Sequence, residues 1–125
     1  MATIHQITNG LQTVNAAGAV AGTLDVSGFT GDYTLKIRVA ELGDGKVARI
    51  AIEDTADGAN PFNDRLPVAL VHVKGPVVAD ADKVFSFKSS ELAAARFGGA
   101  NNKFRCNVLS CSSSPGLKVQ AWLER

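Results

Sequence analysis

Tyr33-Thr34-Leu35-Lys36-Ile37-Arg38-Val39-Ala40-Glu41, followed after Leu42 by Gly43-Asp44-Gly45 and then Lys46-Val47-Ala48-Arg49-Ile50-Ala51-Ile52-Glu53-Asp54, is the stretch that decides the fold. Tyr33, Leu35, Ile37 and Val39 alternate with Thr34, Lys36, Arg38 and Ala40. A period of two places successive side chains on opposite faces of a strand, so one face is apolar and the other wet. In the second half Ala48, Ile50 and Ile52 oppose Arg49 and Glu53. Glycine takes positive φ without steric cost, so Gly43-Asp44-Gly45 predicts a tight turn. The two halves together predict a β-hairpin.

The same alternation recurs outward from this stretch. Phe85 and Phe87 oppose Ser86 and Lys88 in 83–89; Phe104, Cys106 and Val108 oppose Arg105 and Asn107 in 103–110. In 117–124, Leu117, Val119, Ala121 and Leu123 oppose Lys118, Gln120 and Glu124. Weaker strand patterns cover 12–15, 19–26 and 67–74. Only 89–96 reads as helical, a short turn or two with Ser89 or Ser90 as cap and Gly98-Gly99 as stop. About seven or eight short strands with wet outer faces must bury their inner faces on one another, which predicts an all-β, two-sheet antiparallel sandwich of jelly-roll type. A closed barrel is the alternative. Residues 1–18 read as an N-terminal arm and 19–125 as the single sandwich domain; the Ala- and Gly-rich stretch from Gly10 to Gly22 suits close backbone approach or strand addition.

The bulk properties agree with one globular domain. The chain has 125 residues, 46% hydrophobic and 20% charged, enough to bury a core without covalent staples. Thirteen basic and twelve acidic residues leave a formal charge of +1, which gives no electrostatic reason to expect nucleic acid or an anionic membrane. No apolar run approaches the ~20 residues that span a bilayer. Residues 1–10 carry no positively charged leader, so synthesis in a cytoplasm is expected. Cys106 and Cys111 read as reduced structural thiols; their odd separation of five in one strand predicts opposite faces.

Catalytic signatures are not found. His5 lies near a terminus and His72 sits in an alternating strand, and neither comes with a nucleophile motif. The carboxylates of 53–58 and of Asp80-Ala81-Asp82 could wrap a hard cation, but loops are rich in Asp and Gly for conformational reasons alone, so no metal or cofactor is expected. The candidate residues are therefore those of an interface. Trp122 falls on the outer face with Lys118 and Gln120, where an open tryptophan marks a contact surface; a covering loop or arm is the alternative. Phe62 and Asn63 lie in the long loop 55–65, and Ile4, Ile7 and Leu11 on the arm.

Arg49-Ile50-Ala51-Ile52-Glu53-Asp54, Phe85-Ser86-Phe87-Lys88-Ser89-Ser90-Glu91-Leu92 and Leu117-Lys118-Val119-Gln120-Ala121-Trp122-Leu123-Glu124 resemble segments of small single-domain virion proteins of tailed bacteriophages. The resemblance covers the C-terminal two-thirds of the chain; residues 1–30 do not share it. It implies a non-enzymatic decoration or cement protein on the capsid surface, binding the major capsid protein and forming a homo-oligomer, with a trimer favoured. A tail or head–tail component and a carbohydrate-binding module are the alternatives.

Overall fold

The computed structural model describes residues 3–26, 32–55, 67–89 and 103–125. Ten strands run through them: β1 (Ile4–Gln6), β2 (Gln12–Val14), β3 (Gly18–Ala19), β4 (Leu24–Asp25), β5 (Thr34–Glu41), β6 (Val47–Thr55), β7 (Ala69–Lys74), β8 (Lys83–Lys88), β9 (Lys103–Cys111) and β10 (Leu117–Glu124). They form two antiparallel sheets. Sheet A has the order β1-β10-β5-β8, with β2 also on β10; sheet B has the order β3-β9-β6-β7, with β4 also on β9. The short pairs β1/β2 and β3/β4 each share one edge, which leaves eight strand positions. Numbered along the chain, these lie in the order 1-8-3-6 and 2-7-4-5. Positions 1 and 8, 2 and 7, 3 and 6, and 4 and 5 are neighbours, as if one long hairpin had been rolled around a core. That is the jelly roll predicted from the alternation.

The inner faces are the apolar ones. Leu35, Ile37, Val39, Val119, Ala121 and Leu123 from sheet A meet Ile50, Ile52, Val71, Phe104, Cys106 and Val108 from sheet B, all buried. Each fully buried aliphatic or aromatic side chain of this size contributes about 1.5–3 kcal/mol relative to exposure. Phe85 and Phe87 of the edge strand β8 face Ile37 and Leu35 across the pair and pack half-buried against the same core.

The predicted hairpin does not form. The turn itself is present: the Lys46 amide donates to the Gly43 carbonyl at 3.0 Å and Gly45 has φ +70°. But β5 lies in sheet A and β6 in sheet B, so the turn carries the chain across the sandwich. Both edges of each strand are already taken, those of β5 by β10 and β8 and those of β6 by β9 and β7. The corner is packed backbone on backbone. Gly43 N donates to Pro115 O at 2.8 Å, Gly75 N donates to Lys46 O at 2.8 Å, and Leu42 pairs with Val77.

Nor do residues 3–18, the described part of the expected arm 1–18, stand apart from the domain. β1 and β2 pair with β10, the buried Ile7 enters the core, and Asn9 N donates to Ala21 O at 2.8 Å. The close approach foreseen for the glycine-rich stretch is made within the chain: a Cβ on Gly22 would lie 2.6 Å from Ile7 O, and its φ is +120°. The two cysteines also depart from expectation. Ser110 faces Arg49 while Val108 faces Ile50, so Leu109 is an extra residue in β9. A one-residue bulge reverses side-chain parity beyond it. Cys111 thus faces Ala48 and packs on the core from the same side as Cys106, and both thiols are free. The helix expected at 89–96 falls, after Ser89, outside the described residues.

Candidate interaction face

Of the residues nominated from sequence, the outer face of sheet A brings together Trp122, Lys118, Gln120 and Ile4. Antiparallel partners directly opposite share a face. Gln6, Trp122, Lys36 and Ser86 therefore form one row across four strands, flanked by the row of Ile4, Glu124, Thr34 and Lys88. Gln120, Arg38 and Val84 form the row on the other side, and Lys118 follows opposite Glu41 and Thr13.

These groups hold one another. The Glu124 carboxylate accepts from Trp122 Nε1 at 3.0 Å through one oxygen and meets Lys36 Nζ at 3.0 Å through the other. Those two bonds, the indole first, lower the Glu124 pKa below the usual carboxylate range, because both favour the ionised form. Arg38 Nε binds Asp82 at 2.6 Å, and its Nη1 donates to Gln120 at 3.4 Å; Gln120 in turn donates to Gln6 at 3.1 Å. Lys118 pairs with Glu41 at 3.2 Å.

Trp122 points outward as its parity requires, yet it is only 9% exposed. Its N–H is satisfied by Glu124, and Gln6 and Lys36 flank it on the neighbouring strands. The open indole expected from sequence is therefore a covered one, and it offers a partner little additional area. Ile7 faces no partner, because it is core. Ile4 is 52% exposed and Leu11 is exposed, so both remain surface residues; Phe62 and Asn63 lie outside the described residues.

The sites considered for chemistry stay apart. His5 pairs with Leu123 on the sheet A edge, whereas His72 is exposed on the outer face of sheet B, opposite Arg49. Of the carboxylates considered for a cation, Glu53 is held by Arg105 at 3.1 Å and Asp82 by Arg38. Among the described residues no three His, Cys, Asp or Glu side chains converge, and no helix is long and apolar enough to cross a membrane. Buried beneath β9, the Cys106 thiol is pushed up to about 12 by loss of hydration, with a smaller contribution from the Glu53 charge. Sequence reasoning missed the outer face of sheet B, where Arg49, His72 and Lys74 stand side by side. The signal was present in the alternation, but only the β6–β7 register brings those three positions together.

No protein-family model, curated protein or solved structure matches the chain.

Proposed function

We propose that this protein is a non-enzymatic virion structural protein that decorates a capsid shell and stabilises it by bridging major capsid subunits. The observation that carries the reading is the strand order, 1-8-3-6 over 2-7-4-5. Eight-stranded jelly rolls of this kind recur in capsid and lectin domains, where flat outer faces and loop ends are used for contact. A fold hosts many functions, so the order alone does not decide between those two classes. The position of the rings favours the first. A sugar-stacking platform needs open aromatic faces, whereas among the described residues Tyr33, Phe104 and Trp122 are buried and Phe85 and Phe87 turn toward the core. The resemblance of 49–54, 85–92 and 117–124 to phage virion proteins supports the same choice.

In such a role the work is binding energy. About 800 Å² per partner makes a stable contact, and repetition over a symmetric shell multiplies weak ones. The test is co-sedimentation of the purified protein with capsid shells of the cognate phage lacking it, followed by thermal melting of the shells. Saturable binding with a raised shell melting temperature is expected. Shells that neither bind the protein nor gain stability overturn the proposal, and light scattering on the free protein tests the trimer independently.

A further inference from the structure

On sheet A, Lys36, Arg38 and Lys118 are each closed into an ion pair; on sheet B a groove of about 440 Å³ is lined by charges that are not. Arg49 stands in register between His72 on β7 and Ser110 on β9, and Val47 stands opposite Lys74 in the next row. Arg49, His72 and Lys74 are all exposed, and among the described residues no carboxylate pairs with any of them. The nearest acid on this face of β6, Glu53, lies four residues along the strand, roughly 13 Å away, and is already held by Arg105. Apolar surface lies beside the cations: Val47, in the groove, is 48% exposed, and Leu70, one row beyond it on the same face of β7, is 36% exposed.

We propose that this groove is the docking site for an acidic, extended segment of the protein partner. The inference rests on the reading that the protein works by binding another protein, and it names the chemistry of that partner. Charge complementarity selects carboxylates, and exposed valine and leucine select apolar side chains on the same side of the segment, before and after the acids. Alternate side chains of an extended peptide repeat every ~6.6 Å, the spacing at which His72 and Lys74 follow each other along β7. An extended segment whose alternate side chains run apolar, acidic, acidic, apolar presents all four on one side and thus matches the face in both charge and period. A nucleic-acid backbone fits less well, because it supplies phosphates but nothing to cover Val47 and Leu70.

The probe is the fluorescein-labelled peptide Val-Ser-Glu-Ser-Glu-Ser-Val (the Glu-Val peptide), with both Glu replaced by Ser as control (the Ser-Val peptide), measured by fluorescence anisotropy at low salt on the full chain. The Glu-Val peptide is expected to bind, and the combination of R49E and K74E to weaken it at least tenfold. K83E, on the far edge of sheet A, leaves binding unchanged. R49Q with K74Q gives an intermediate loss, and all variants are checked for unaltered melting. Equal binding by every variant, or equal binding of the Ser-Val peptide, overturns the proposal. So does displacement of the peptide by inorganic phosphate or by an oligothymidylate at matched charge. A combined R49E and K74E variant that still decorates shells as well as the unmodified protein refutes the groove while leaving the capsid reading standing. Shells that bind neither form refute the capsid reading, whatever the peptide does.

Discussion

Replacing Trp122 by alanine separates two accounts of that residue by the size of its effect on folding. A tryptophan side chain and its backbone present about 250 Å² when open. At 9% exposure, about 230 Å² of that is covered. At about 25 cal/mol per Å² this corresponds to roughly 5–6 kcal/mol, an upper figure because the unfolded chain already hides part of its surface. Trp122 lies on the outer face rather than in the central core, so water and the stems of Lys36 and Gln6 can fill the vacated space. The expected cost is therefore about 3 kcal/mol, at the low end for large-to-alanine changes. In a domain of this size that lowers the melting temperature by roughly 10 °C. Because the protein has a single tryptophan, the assay is urea unfolding followed by far-ultraviolet circular dichroism rather than fluorescence. Trp122→Phe keeps most of the covered area but loses the bond to Glu124, and it should recover more than half of the loss. A Trp122→Ala midpoint indistinguishable from the unmodified protein would refute the reasoning and return the indole to the role of an exposed anchor.

Gly75→Ala tests the sandwich corner. An added Cβ would overlap the Gly43 carbonyl oxygen and lie 2.8 Å from Leu42 O, both backbone atoms, so a loss of at least the 1–3 kcal/mol typical of overpacking is expected in urea melts. Native labelling with a thiol reagent should modify Cys111 and spare Cys106, which is fully buried; equal rates at both would contradict the inward packing of β9. The raised Cys106 pKa has a definite sign. Its contribution is complete below pH 9, where both states hold the proton, and is lost progressively as pH rises from 9 toward about 12, because only the unfolded chain ionises there. Cys106→Ala removes this alkaline slope. Deleting residues 2–18 should unfold or severely destabilise the domain, since it removes β1, β2 and the buried Ile7; a cooperative melt near the normal temperature would restore the idea of a dispensable arm.

Alternation made the faces of the long strands readable from residue type. Leu35, Ile37, Val39, Val119, Ala121 and Leu123 were all placed inward from sequence and all are buried. What alternation does not carry is the identity of the neighbouring strand. Gly43-Asp44-Gly45 is compatible with a hairpin turn and with a corner between sheets; the choice depends on whether the edges of β5 and β6 are free, which strands distant in sequence decide. Nor does it reveal a bulge. Leu109 is unremarkable in the sequence, yet the residue it inserts moves Cys111 to the opposite face. The N-terminal segment was misread for a related reason. Its strands are two or three residues long, too short for a period to show, and they exist because β10 and β9 present edges to them. The candidate surface was most legible on sheet A, where the nominated Lys118, Gln120 and Trp122 share one strand, and least on sheet B, where Arg49, His72 and Lys74 lie on two.

The pairing of the first strand with the last also sets an order of events. Ile4 meets Glu124, and Thr3 and Arg125 exchange backbone hydrogen bonds at 3.1 and 3.0 Å. Sheet A therefore cannot be completed until β10 has been made, because β10 is the strand that joins β1 to β5. Contacts so distant along the chain must overcome nearly the full entropy of loop closure before they contribute, which places folding in the slow regime of milliseconds to seconds. Until β10 arrives, the edges of β1 and β5 lie open to other chains. Folding thus depends on the rate at which the eight residues of β10 are delivered.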